Sequence, residues 1–60
     1  EFIQLNQLLK LVGIAETGGH AKILVRTGEV ICNGEVEERL RYKVRKGDVI
    51  EAIGYKVTVV

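Results

Sequence analysis

Leu5, Leu8, Leu9 and Val12 fall at i, i+3, i+4 and i+7, the spacing of one apolar stripe on a short helix. Gly13 stands where a left-handed helix stop belongs. Asn6 either caps this helix or lies one turn inside it. Residues 13–17 read as a connector. Thr17 is a good N-cap for a second helix, on which Ala21, Leu24 and Val25 share a face and Gly28 supplies the stop. Helices this short do not stand alone in water, so they must pack on each other and on something else.

The pattern then changes period. Glu29–Cys32 is a β-branched run, followed by the strong hairpin signal Asn33-Gly34 and by Glu35-Val36-Glu37. Lys43–Arg45 and Val49–Ile53 flank a tight turn at Lys46-Gly47-Asp48. Gly54 permits another reversal before Tyr55–Val60, where Tyr55, Val57 and Val59 alternate with Lys56 and Thr58. Helices grouped before strands predict an α+β fold: two short N-terminal helices packed on a small, mostly antiparallel sheet of three to five strands. The expected core is Leu5, Leu8, Leu9, Val12, Ala21, Leu24, Val25, Val30, Val36, Val44, Val49 and Ile50.

Sixty residues make a single domain, 1–60, with little core to spare. The absence of methionine points to a piece of a longer chain. No stretch approaches the roughly 20 apolar residues of a membrane span. Cys32 is alone in the apolar run VIC, which suits a buried, inert thiol in a reducing, cytoplasmic setting. His20 has no second His or Cys at ligand spacing, so no metal or other cofactor is expected. The chain has no serine, and Glu37-Glu38 would point to opposite faces of a strand. Nothing here suggests an enzyme.

Charge alters the picture more. The formal charge is only +1, yet five of the nine basic residues lie within residues 39–46, where there is no acid. If residues 39–45 are extended, Arg39, Arg41, Lys43 and Arg45 share one face at roughly 6.6 Å per two-residue step. Such a row repels itself unless something negative lies opposite; its structural alternative is to discourage edge-to-edge strand pairing. At the second helix, Gly18 and Gly19 leave the terminal amides bare, and Lys22 and Arg26 line one face. That arrangement favours a phosphate, with His20 a candidate hydrogen-bond donor to phosphate or ribose; the plain alternative is a turning connector beside a solvated face. With three aromatics in all, Phe2, Tyr42 and Tyr55, a stacking platform for single strands is not expected, and Tyr42 is its one candidate.

The helix pair followed by GEVICNGEVEERLRYKVRKGDVIE resembles the RNA-binding domain named after the fourth protein of the small ribosomal subunit. Gly28, Val30, Asn33, Gly34, Gly47, Asp48 and Ile50 fall on that family's pattern with its spacing. The likeness covers residues 3–51, and TGGHAK at 17–22 is similar to the short stand-alone bacterial members. It departs at Gln4-Leu5-Asn6 and Thr17-Gly18, where the larger family carries arginines that touch RNA. The resemblance implies a module for structured RNA, ribosomal or transfer RNA, ribosome-associated and monomeric. Lys22, Arg26 and the strip at 39–45 would carry the contact, with Asn33, Gly34, Gly47 and Asp48 forming turns. Two other readings are a protein-interaction module with an acidic partner, and the targeting appendage of an RNA-modifying enzyme.

Overall fold

A computed structural model describes residues Glu1–Val60. The order is β1 (Ile3–Gln4), α1 (Leu5–Leu11), α2 (Gly18–Arg26), β2 (Val30–Cys32), β3 (Glu35–Val36), β4 (Lys43–Val44), β5 (Val49–Ala52) and β6 (Tyr55–Thr58). β1 pairs antiparallel with β4, and a separate antiparallel sheet runs β3-β2-β5-β6. The fold is thus α+β, with two differences from expectation. A two-residue strand precedes the first helix, and there are six strands in two sheets rather than three to five in one. Ile3-Gln4 is too short for any alternation to show in sequence; it is a strand only because β4 supplies its partner.

The helix ends follow their residues. Thr17 Oγ1 accepts from the His20 N–H at 3.0 Å and caps α2. At the other end Gly28 takes φ 76°, and the Gly28 and Glu29 N–H groups return to Val25 and Leu24 carbonyls at 3.3 and 3.0 Å. This closing motif satisfies carbonyls that the helix leaves open. Asn6 lies inside α1, not at its cap, which falls on Gln4.

Leu5, Leu8 and Leu9 of α1, Ala21, Leu24 and Val25 of α2, and Val30, Val44 and Ile50 of the strands share one buried cluster. Three expected members sit elsewhere. Val12 is exposed, because α1 ends at Leu11 and the stripe's last position falls beyond it. Val49 is half-buried. Val36 is exposed because the two-residue Asn33-Gly34 turn pairs it with Ile31, on the face opposite Val30 and Cys32. Ile14 and Ala15 of the connector, together with Cys32 and Ala52, complete the core. Burial pushes the Cys32 thiol up from its ordinary range, the Tyr42 hydroxyl beside it pulling the other way. A thiol held protonated is a poor nucleophile, in keeping with a packing role.

Candidate nucleic-acid interface

The two glycine turns are tied to each other. Asn33, at φ 53°, donates from Nδ2 to Asp48 Oδ1 at 3.1 Å, and its Oδ1 accepts from the Val49 N–H at 2.9 Å. Asp48 Oδ2 in turn accepts from the Arg45 N–H at 2.9 Å. Asn33 and Asp48 are therefore more than turn formers: they fasten the hairpin of one sheet to the chain leaving the other, and fix the backbone from which Arg45 projects. The Arg45 amide, then Asn33, hold the Asp48 carboxyl below its usual range.

The segment ahead of it is not one extended strand. Tyr42 N–H donates to the Arg39 carbonyl at 3.1 Å, making a turn at Leu40-Arg41 before β4 begins at Lys43. The alternation nevertheless survives in burial. Arg39, Arg41, Lys43 and Arg45 are exposed, Leu40 and Tyr42 half-buried, and Val44 buried. Leu5 and Asn6 amides donate to the Tyr42 and Leu40 carbonyls at 2.8 and 3.0 Å, which seats this segment on the start of α1.

Arg39 stands apart from its row. Glu37, only 9% exposed, accepts from Arg39 Nε at 2.9 Å and from its Nη2 at 3.3 Å. The guanidinium also lies 5.1 Å from the centre of the Tyr42 ring. Arg39 holds the Glu37 carboxyl well below its ordinary range. This is the chain's one ion pair within 4.0 Å, so Arg41, Lys43, Arg45, Lys46, Lys22 and Arg26 have no carboxylate partner. Sequence spacing had made Arg39 equal to the others; its charge is already answered from within.

Both depressed carboxylates make stability depend on acid. Their folded pKa lies below the unfolded one, so the stabilisation is complete above the ordinary carboxyl range. It is lost as pH falls through the folded values, below about pH 4. Thermal melts of the parent should fall steeply there, and those of Glu37→Gln with Asp48→Asn should fall less. Parallel curves would remove these two groups as the cause.

At α2, Gly18 and Gly19 donate to no protein acceptor. A Cβ at Gly18 would meet nothing within 4 Å, and one at Gly19 only Thr17 Oγ1 at 3.8 Å. Neither takes a positive φ. The fold itself thus gives no steric reason for glycine at these two positions of the first turn. His20 is engaged differently from expectation. Its Nδ1 accepts from the Glu16 N–H at 3.2 Å while its own N–H is capped by Thr17, a reciprocal lock on the helix entrance. Lys22 and Arg26 are exposed. Phe2 is the residue that sequence reasoning passed over: Lys43 Nζ and Arg45 Cζ lie 5.1 and 5.8 Å from its ring centre. Only the β1–β4 pairing brings it there, so no local signal announces it.

The sequence profile described as the S4 domain matches residues 1–60. This chain belongs to the S4 domain family. It is 41% identical over 58 residues to "Putative RNA-binding protein YbcJ" of Escherichia coli (strain K12), covering 97% of this chain and 83% of that protein. It is 40% identical over 55 residues to "Probable ribosome maturation protein RlbA" of Bacillus subtilis (strain 168), covering 92% of this chain and 78% of that protein. The resemblance to the short stand-alone members of the family, read from TGGHAK and the paired glycine turns, is borne out by these relatives. No helix of this S4 domain is long and apolar enough to cross a membrane.

Proposed function

We propose that this S4 domain is a binding module for structured RNA, ribosomal or ribosome-associated, acting as a cytoplasmic monomer without catalysis of its own. The observation that carries the reading is the set of exposed, acid-free cations Arg41, Lys43, Arg45 and Lys46 on one short segment. Unanswered positive charge in a nearly neutral protein suits a polyanion. Folded RNA is recognised chiefly through phosphates, 2′-hydroxyls and shape, which cations and free amides satisfy without a large aromatic surface. The bare Gly18 and Gly19 amides, with Lys22 and Arg26 along the same helix, serve as the second contact. His20 stiffens that helix entrance and offers Nε2. α1 links the two, packing on α2 and hydrogen-bonding to the strip. The names of the two relatives, one an RNA-binding protein and one a ribosome maturation protein, point the same way.

The test is binding to a hairpin RNA, a duplex DNA and an unstructured single strand, each at two salt concentrations. The hairpin should bind tightest, weaken steeply with salt and be displaced by heparin. Equal affinity for all three would make the strip a general polyanion site. Binding to none would favour an acidic protein as partner.

A further inference from the structure

We infer that Asp48 is a positioning residue for RNA binding: paired with Asn33, it sets where Arg45 stands. The domain therefore binds RNA less well without this acid, although the acid's own charge opposes RNA. This rests on the RNA-binding reading above and goes beyond it, since that reading gives the contact to cations and amides alone.

β4 ends at Val44, so its ladder with β1 fixes Lys43 and Val44 and leaves Arg45 outside. What holds the Arg45 backbone is a single residue. Its N–H donates to Asp48 Oδ2 at 2.9 Å, and its carbonyl accepts from the Asp48 N–H at 3.0 Å. Asp48 is fastened in turn. Its Oδ1 accepts from Asn33 Nδ2 at 3.1 Å, and its carbonyl accepts from the Val59 N–H at 2.9 Å. Asn33 is anchored on β5: its N–H donates to the Val49 carbonyl at 2.8 Å, and its Oδ1 accepts from the Val49 N–H at 2.9 Å. Arg45 is thus placed by the four-stranded sheet, through an amide–carboxylate pair, and not by the strip to which it belongs in sequence.

No cationic side chain lies within 4.0 Å of that carboxylate, which accepts from the Asn33 amide and the Arg45 N–H. Its charge is not cancelled by an ion pair, yet it follows closely on Arg45 and Lys46. Removing the charge at fixed geometry would strengthen attraction to a polyanion. Releasing Arg45 would weaken it. The two effects have opposite signs, so Asp48→Asn separates them. In that variant two side-chain amides face each other across the turns, and one bond is lost whichever way either is flipped. Exchanging the pair, Asn33→Asp with Asp48→Asn, remakes every bond with donor and acceptor reversed and keeps the net charge. Aspartate also tolerates the φ of 53° at position 33.

The experiment follows affinity for one hairpin RNA against salt, below the melting range of every variant. Asp48→Asn should bind about 5- to 8-fold more weakly near 0.1 M salt, with the slope flattened by roughly 0.7 to 0.9, the signature of one phosphate contact. Arg45→Gln should do the same, and adding Asp48→Asn to it should weaken binding no further, because the acid acts through that arginine. The exchanged pair should recover both affinity and slope. An Asp48→Asn protein that binds as tightly as the parent, or more tightly, would overturn the inference while leaving RNA binding intact. So would an equal further loss in the Arg45→Gln background, which would make Asp48 a support of the whole fold. An exchanged pair that regains the parent's melt but not its slope would overturn it too. Failure of the parent to bind the hairpin would remove the RNA-binding reading and this inference with it.

Discussion

Leu9→Ala should leave this domain largely unfolded at physiological temperature. Leu9 is 0% exposed and sits where α1 meets the rest of the buried cluster. Its carbonyl also accepts from the Ala15 N–H at 2.9 Å, which turns the connector inward and buries Ile14 and Ala15. Truncating a fully buried leucine costs about 2–5 kcal/mol through lost burial and the cavity left behind. A chain of this size holds roughly 3–9 kcal/mol in all. The loss is therefore comparable to the total. Leu11→Ala, only two residues on but on the opposite face and 74% exposed, should change the melt little. A thermal or urea melt of the two variants checks the pair; similar midpoints would mean that α1 buries the wrong face.

Charge reversal along the strip is expected to have the largest effect on binding. With Arg39 answered by Glu37, the cations free to meet phosphate are Lys22, Arg26, Arg41, Lys43, Arg45 and Lys46. Each phosphate neutralised contributes roughly 0.7 to 0.9 to the fall of log affinity with log salt, so the parent slope should be about −4 to −5.5. Arg41→Glu should weaken every structured RNA alike and flatten the slope by about one or more. Arg39→Gln should do less, because its charge is already spent within the protein. Lys56→Glu, on β6 and outside the strip, should also do less. Since Arg41 and Lys43 are exposed and have no carboxylate partner, melts of their reversals should barely move. Arg39→Gln, in contrast, leaves the buried Glu37 carboxylate without its partner and should lower the melt. Unchanged affinity and slope for Arg41→Glu and Lys43→Glu would leave the strip a solvated face that merely discourages strand pairing.

The elements written in strong local signals were legible from the residues. Thr17 and Gly28 bound α2, the leucine stripe sets α1, and Asn33-Gly34 makes its hairpin. The exposure of Val36 was also implicit, since a two-residue turn must set it opposite Ile31 and away from the face of Val30 and Cys32. What composition could not reveal depends on partners distant in sequence. Ile3-Gln4 becomes a strand only beside Lys43-Val44, and Phe2 joins the strip by the same pairing. Arg39 looks like its neighbours in the alternation of charge, whereas Glu37, two residues before it, accepts from both its amide at 3.0 Å and its guanidinium.

The strip's backbone is held on one side by a ribbon of two-residue strands, Ile3 opposite Val44 and Gln4 opposite Lys43. Leu5 and Val44, each fully buried, tie that ribbon into the core, so it cannot open without exposing the centre of the fold. A ligand bound through the strip therefore meets cations on a backbone that is already ordered, and little of its binding energy goes into holding residues 3–6 and 40–44 together.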